Sequence, residues 1–245
     1  MTSLISPSGG VVYHFRAWKY HSKTWRPFRE SLGSWLRDHW SPPKDRPLLL
    51  IGPSAGWCLP LEFLRSYPKV IARDLDPLAL WILKKRFKSP QLKISAGDGL
   101  GICDPKPGES LRVLLGDPEL KDASVLFCNL WGQLYFEDSY ESQLPFWKQE
   151  LETLLEGRTW ASFYDRVSGS LRPEINASNA RSDAGLSDSE ILASFYQNTN
   201  QNGAAVVELQ DHATSDYFKK MPRHFLRWEL EPGRYHLIEA IQSSP

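Results

Sequence analysis

From residue 46 onward, unbroken apolar runs alternate with stretches whose apolar residues recur every three or four positions. Leu48–Ile51 is wholly apolar, the pattern of a strand buried on both faces of a parallel sheet. Pro47 precedes it, where a strand needs no ladder donor yet. A short helix is predicted around Pro60 to Tyr67. Val70–Ala72 opens a second strand ending at Arg73-Asp74. Asp76-Pro77 reads as an N-cap with proline at the first helical position. That helix runs through Leu78, Leu80, Trp81 and Leu83 to about Phe87.

Gln91–Ser95 predicts a third strand, left by the loop Gly97-Asp98-Gly99. Leu111–Leu115 predicts a helix and Ser124–Cys128 a fourth strand. One long helix is expected over Gln143–Glu156, stopped by Gly157, and a fifth strand over Trp160–Tyr164. Polar residues 168–184 interrupt the rhythm and predict a mobile loop. Ser187 and Glu190 form a capping box for a helix over Ile191–Gln197. Ala204–Leu209, Phe225–Leu230 and Tyr235–Ile241 are strand-like, with Glu231-Pro232-Gly233-Arg234 as a hairpin turn. Repeated strand–helix units require a parallel sheet with right-handed crossovers, and the hairpin adds an antiparallel strand.

The N-terminal 45 residues differ in character. Four tryptophans, Trp18, Trp25, Trp35 and Trp40, lie between Phe15 and Trp40. Arg16, Lys19, Lys23, Arg26 and Arg29 all precede Glu30. Trp25, Phe28, Leu32, Trp35 and Leu36 share one helical face, which predicts a helix packed on the sheet. Trp18 and Lys19 fall outside that face and are candidate contact residues for a substrate, a base or a lipid interface. Residues 1–45 thus read as a helical extension (a lid or packing helix) and residues 46–245 as one α/β domain.

Composition excludes more than it selects. The 245 residues are 41% hydrophobic and 24% charged, enough for a substantial core. Lys plus Arg and Asp plus Glu each number 29, so no global field recruits nucleic acid or anionic membrane; such binding needs a local patch. Cys58, Cys103 and Cys128 form no CxxC pair, which points to neither a disulfide framework nor a zinc site. No secretory signal or membrane-spanning run is evident, and a cytoplasmic protein is expected.

The turn after the first strand, Gly52-Pro53-Ser54-Ala55-Gly56, fits two chemistries. It matches G-x-S-x-G, in which Ser54 would be a hydrolase nucleophile with His212, His224 or His236 available downstream. It also matches a glycine-bearing turn that admits a nucleotide-like cofactor to the backbone. Pro60 separates them. A helix starting at Ser54 would put Pro60 about six residues inside, at a cost of ~3 kcal/mol; a loop reaching Trp57 or Cys58 puts it in the first turn. Cofactor approach further expects Ser54 at negative φ. Asp74 follows Gly56 by 18 residues, near the spacing of a carboxylate that accepts ribose hydroxyls. The pattern G-x-G-x-x-G is absent, and no tyrosine is followed four residues later by lysine, which disfavours a nicotinamide enzyme.

On these residues the chain resembles the class I S-adenosylmethionine-dependent methyltransferase superfamily over about residues 46–241. Ile51–Gly56 looks like its first motif and Asp74-Leu75-Asp76 like the acidic end of its second strand. Ala96-Gly97-Asp98-Gly99 looks like its adenine loop, and Phe127-Cys128-Asn129-Leu130 like its fourth-strand motif. The resemblance implies a three-layer Rossmann-like sandwich, with a mostly parallel seven-stranded sheet and an antiparallel C-terminal hairpin. It implies that Gly52, Ser54 and Gly56 approach the methionine and ribose of S-adenosylmethionine. Asp74 would take the ribose hydroxyls, Leu75 would pack on the adenine, Asp98 would accept the adenine amine, and Asn129 would lie beneath the sulfonium. Leu50 stands where the family usually has an acid, so a non-catalytic binding or scaffold protein is the competing expectation. Trp18, Trp131 and Tyr135 are the substrate-side candidates, with Gln133 nearby. No general base is identified, and neither the methyl acceptor (small molecule or macromolecule) nor the oligomeric state is specified.

Overall fold

The computed structural model describes residues 10–101, 104, 106–134, 140–196, 209–212, 214, 218 and 220–243. In chain order its elements are α1 (Gly10–Tyr20), α2 (Arg26–Trp35), a π-helical turn (Leu36–Trp40), β1 (Leu48–Ile51), α3 (Leu61–Arg65), β2 (Val70–Asp74), α4 (Pro77–Phe87) and β3 (Leu92–Ala96). Next come α5 (Glu109–Leu115), a 3₁₀ turn (Pro118–Leu120), β4 (Ser124–Cys128), α6 (Trp131–Leu134), α7 (Tyr140–Gln149), α8 (Leu151–Leu154) and β5 (Trp160–Gly169). The chain ends with β6 (Arg181–Ser182), α9 (Asp188–Phe195), β7 (Leu209–Asp211), β8 (Arg223–Glu231) and β9 (Arg234–Gln242).

One sheet runs β3-β2-β1-β4-β5-β9-β8-β6, with β7 also paired to β5. The first five strands in that order are mutually parallel. β9 lies antiparallel to both β5 and β8, because a two-residue turn at Pro232-Gly233 returns the chain directly alongside. Side-chain alternation sorts each strand onto two faces. Leu48, Leu50, Leu126, Cys128, Ala161 and Phe163 join one core with α2, α3 and α4. Leu49, Ile51, Val125, Phe127, Trp160 and Tyr164 join the opposite core with α5, α7 and α8. The sheet is therefore sandwiched between helical layers.

The N-terminal aromatic face is fully used. Trp25, Phe28, Leu32, Trp35 and Leu36 are all buried, and Phe28 stacks on Trp228 of β8 with centroids 5.0 Å apart. Trp25 Nε1 donates to the Leu230 carbonyl at 2.8 Å. Two expectations need correction. The long helix over 143–156 is two helices, broken at Glu150 so that both Leu151 and Leu155 reach the core. Residues 168–184 are not wholly loop: β5 continues to Gly169, and β6 pairs with β8. The strand expected over Ala204–Leu209 lies largely outside the described residues, with β7 beginning at Leu209.

Two buried ionic groups tie the reversed strands together. Arg223 Nη1 meets Glu239 Oε1 at 2.7 Å and donates to the Tyr164 hydroxyl at 2.9 Å, linking β8, β9 and β5. Arg166, fully buried, is paired with Asp188 and Asp211. Glu239→Ala would strand the Arg223 charge, and a loss of about 3–5 kcal/mol in urea unfolding is expected. A loss below ~1 kcal/mol would show that the pair does not hold these strands.

His224 packs against His39 with ring centroids 4.0 Å apart and planes tilted by 35°, joining the sheet to the π-helical turn. Burial, then His39 and Arg181, push the His224 pKa down to about 4. In the unfolded chain His224 takes its proton near pH 6.5, before the folded form does. Its contribution to stability is therefore complete above that pH and falls as the pH drops toward about 4. His224→Phe is expected to flatten the melting-temperature profile across this window; an unchanged slope would contradict the assignment.

Candidate functional site

The carboxyl edge of the parallel strands gathers the residues singled out from the sequence. Gly52 follows β1, Asp74 closes β2, Asp98 lies just past β3 and Asn129 follows β4. Such an edge is where doubly wound sheets bind ligands. Asp74 turns toward the β1 turn: Oδ2 accepts the Ser54 N–H at 2.7 Å and Oδ1 accepts the Asp76 N–H at 2.9 Å. Burial pushes the Asp74 pKa up, while these two amides pull against it. Asp76 does double service. Its Oδ1 caps α4 by accepting from Leu78 and Ala79 N–H, and its Oδ2 lies 3.3 Å from His14 Nε2.

The turn itself departs from expectation. Ser54 has φ +50°, in the left-handed region, not the negative φ that cofactor approach expects. A non-glycine residue there costs roughly 1–2 kcal/mol, and the short bond to Asp74 opposes that strain. The nucleophile elbow also fails geometrically. The helix after β1 begins at Leu61 with Pro60 as its N-cap, seven residues beyond Ser54. Arg86 holds the intervening loop, donating to the Ala55 carbonyl at 2.6 Å and lying 4.1 Å over the Trp57 ring.

Gly52 and Gly56 have φ of +66° and +62°. A Cβ on Gly52 would lie 2.3 Å from Leu130 Cδ2, and one on Gly56 would lie 2.6 Å from Leu83 Cδ1. Leu130 therefore covers the β1 turn from the β4 side. From above, α1 covers it too. Tyr13 lies close to Ser54, Cys58, Asp74 and Asp165, and burial drives its pKa far up. Cys58 is unbridged, and burial pushes its thiol up to about 12.

Asp98 organises its own loop, Oδ1 accepting from Leu100 and Gly101 N–H at 3.0 and 2.7 Å. The Arg73 side chain lies beneath Gly97 and Gly99; a Cβ on Gly97 would sit 2.7 Å from Arg73 Nη2. Leu75 projects into solvent beside this loop at 43% exposure, so an apolar ring could lie on it. The residues expected around an adenosine are therefore together. Exposed Leu75 and half-buried Asp74 and Asp98 suit that half of the cofactor. The methionine half meets Leu130 and Tyr13 and fits only if these side chains move.

A polar network that sequence reasoning missed extends from Asn129. Asn129, at φ +53°, donates from Nδ2 to Asp165 Oδ2 at 3.0 Å and accepts the Asp165 N–H at 2.8 Å. Asp165 Oδ1 lies 2.9 Å from His236 Nδ1. Burial alone would raise the Asp165 pKa, but His236, His212 and the Asn129 amide outweigh it and hold it at about 2. His236 Nε2 is buried without a partner among the described residues. His212 bonds the Gly132 carbonyl and the Ser168 hydroxyl, both at 3.0 Å. No sequence signal marked it: a bulge between Asp165 and Val167 interrupts the alternation along β5, and nine of its ten residues are buried, so the acid is not set apart by pattern.

The substrate-side residues separate. Trp131 is not at the mouth; it is fully buried in the core against Phe127, Trp147 and Phe218. An aromatic that follows an edge loop was free, on sequence, to face either way, and here the α5–α8 side claims it. Trp18 stands on the outer face of α1 at 64% exposure, away from the crevice. Tyr135 lies outside the described residues, as does Cys103. Two surface hollows of about 480 and 570 Å³ are present, the first between Arg73 and α5 and the second beside α8.

Gly52→Ala combines a positive φ with the Leu130 clash, so a loss of roughly 2–5 kcal/mol is expected in urea unfolding. The double variant with Leu130→Ala should recover the packing share of that loss. A Gly52→Ala protein as stable as the parent would show that Leu130 does not rest on this turn.

No family model matches the chain, and none of the curated proteins does. Among solved structures it is similar to an S-adenosylmethionine-dependent methyltransferase from Anabaena variabilis at 16% identity. That match covers 98% of this chain and 96% of that one, with a TM-score of 0.45. It is also similar to a Thiobacillus denitrificans methyltransferase in complex with S-adenosyl-L-homocysteine (15% identity, 67% and 59% covered, TM-score 0.38). A third is a chain from the Haloferax volcanii complex of the Trm112 methyltransferase activator with a methyltransferase (13% identity, 62% and 57% covered, TM-score 0.38). The chain spans less than two thirds of the length of the latter two. Its own topology is the more direct observation: with strand order β3-β2-β1-β4-β5-β9-β8 and β9 alone reversed among these seven, the chain has the class I methyltransferase-like fold.

Proposed function

We propose that this protein is an S-adenosylmethionine-dependent methyltransferase. The observation that carries the reading is the turn of the Asp74 carboxylate onto the tip of the first strand. It sits beside the Asp98 loop, with Leu75 exposed between them. The cofactor would supply the sulfonium methyl. Asp74 and Asp98 would hold the adenosine, and Asn129, fixed by Asp165, would line the reacting end. The chain's contribution is position and exclusion of water. His236, oriented by Asp165, is the group this reading assigns to receive an acceptor proton. Tyr13 and His14 link α1 to Ser54 and Asp76, so α1 must lift for the cofactor to enter. The acceptor, small molecule or macromolecule, is not assigned. Unbridged Cys58 and Cys128 suit a cytoplasmic setting.

One observation favours a second reading. Leu130 on Gly52 and Tyr13 on Ser54 occupy the methionine side, and both Asp74 oxygens already accept backbone amides. A non-catalytic descendant that uses the same fold as a binding scaffold would look like this.

Calorimetric titration with S-adenosylhomocysteine separates the two. The enzyme reading expects saturable binding tighter than about millimolar. Asp98→Ala, which removes one charge-assisted hydrogen bond, should weaken it roughly ten- to a hundredfold. Absence of heat at that concentration favours the scaffold.

A further inference from the structure

Nine large apolar side chains stand exposed among the described residues, and they are not scattered. Val113 and Leu192 are isolated on α5 and α9; the other seven belong to α1 and the start of α4. Val11, Phe15 and Trp18 recur at helical spacing along the outer face of α1, with Val12 beside them, and the Phe15 and Trp18 rings lie 6.0 Å apart. Leu78 and Trp81 lie one turn apart on α4, and Leu75 stands at its entry. The two helices meet where His14 reaches Asp76. An exposed apolar cluster rimmed by polar groups marks a binding surface.

The charged side chains of the two helices themselves are all basic, while Asp76 and Glu231 at their margins are engaged by His14 and Arg16. Neither α1 nor α4 contains an acidic residue. α1 carries Arg16 and Lys19, with Lys23 just beyond; α4 carries Lys84, Lys85 and Arg86, with Lys88 just beyond. Arg16 is engaged by Glu231 at 3.6 Å and Arg86 by the Ala55 carbonyl. Lys85 leans on Trp81, 5.7 Å from the ring centroid. Among the described residues no ion pair engages Lys19, Lys23, Lys84, Lys85 or Lys88, all of them exposed. In a chain with 29 bases and 29 acids this is a local field.

We infer that the α1–α4 face docks on an anionic lipid bilayer, with Phe15, Trp18 and Trp81 entering the headgroup–acyl boundary and the lysines reaching lipid phosphates. Exposed tryptophan and phenylalanine beside long basic side chains are the composition of an interfacial surface. The competing occupants fit less well. Four of the seven apolar residues are aliphatic and offer no stacking platform to a nucleic acid base. A second copy docked face to face would set lysine against lysine with no carboxylate on either helix to answer.

Vesicle co-sedimentation of the full chain tests this. Binding to phosphatidylcholine vesicles containing about one third phosphatidylglycerol should exceed binding to pure phosphatidylcholine by about tenfold or more, and should fall with added salt. Phe15→Ser with Trp18→Ser, and separately Lys84→Glu with Lys85→Glu, should each weaken it at least about tenfold, with circular dichroism unchanged. Val113→Ser, exposed on the opposite helical layer, should leave it intact. Equal binding to both vesicle types, or no binding to either, overturns the proposal. So does a Trp18-dependent gel shift of single-stranded RNA, or a Trp18-dependent dimer in light scattering, without vesicle binding.

Discussion

A single carboxylate joins three parts of the candidate site. Asp74 ends β2, accepts a hydrogen bond from the β1 turn at Ser54, and accepts another from Asp76, the cap of α4. The turn needs that grip because Ser54 sits at positive φ, a conformation that serine adopts only under compensation. The same bonds fix where α4 starts, and hence where His14 and α1 meet it. Burial disfavours the ionised form and raises the Asp74 pKa, opposed by the Asp76 and Ser54 amides and by His14. Most of the site's geometry follows from this residue.

Beyond Asp74, the edge divides into two chemically distinct halves. Toward β3 Leu75 is exposed, and Asp98 folds its own loop by accepting the Leu100 and Gly101 amides. Toward β4 and β5 it is closed. Leu130 lies on Gly52, Tyr13 on Ser54, and an Asn129–Asp165–His236 chain is sealed beneath. Buried polar chains of this kind are expensive unless satisfied, and among the described residues His236 Nε2 has no partner. If S-adenosylmethionine binds as proposed, the side chains over the β1 turn must move to admit its methionine half.

Much of this was legible in the sequence because parallel strands announce themselves as apolar runs. Leu48–Ile51 and Ser124–Cys128 gave their bounds directly, since both faces of each strand are buried. Pro60 and Asp76 located helix starts through backbone chemistry that tertiary packing rarely overrides. What escaped were decisions made by distant contacts. Trp131 faces the core because Trp147 and Phe218 arrive there from remote positions. Asp165 looked like the polar end of a strand, yet β9 pairs along it to Gly169 and brings His236 beside it. Ser54 offered no sign of its left-handed backbone, because the carboxylate that sustains it lies twenty residues away.

The most direct test of the account is a crystal structure of the chain grown with S-adenosylhomocysteine. The account predicts ribose on the Asp74 carboxylate, adenine between Leu75 and the Asp98 loop, and α1 shifted so that Tyr13 no longer touches Ser54. Ligand bound elsewhere, or no ligand at saturating concentration with Tyr13 still on Ser54, would contradict it.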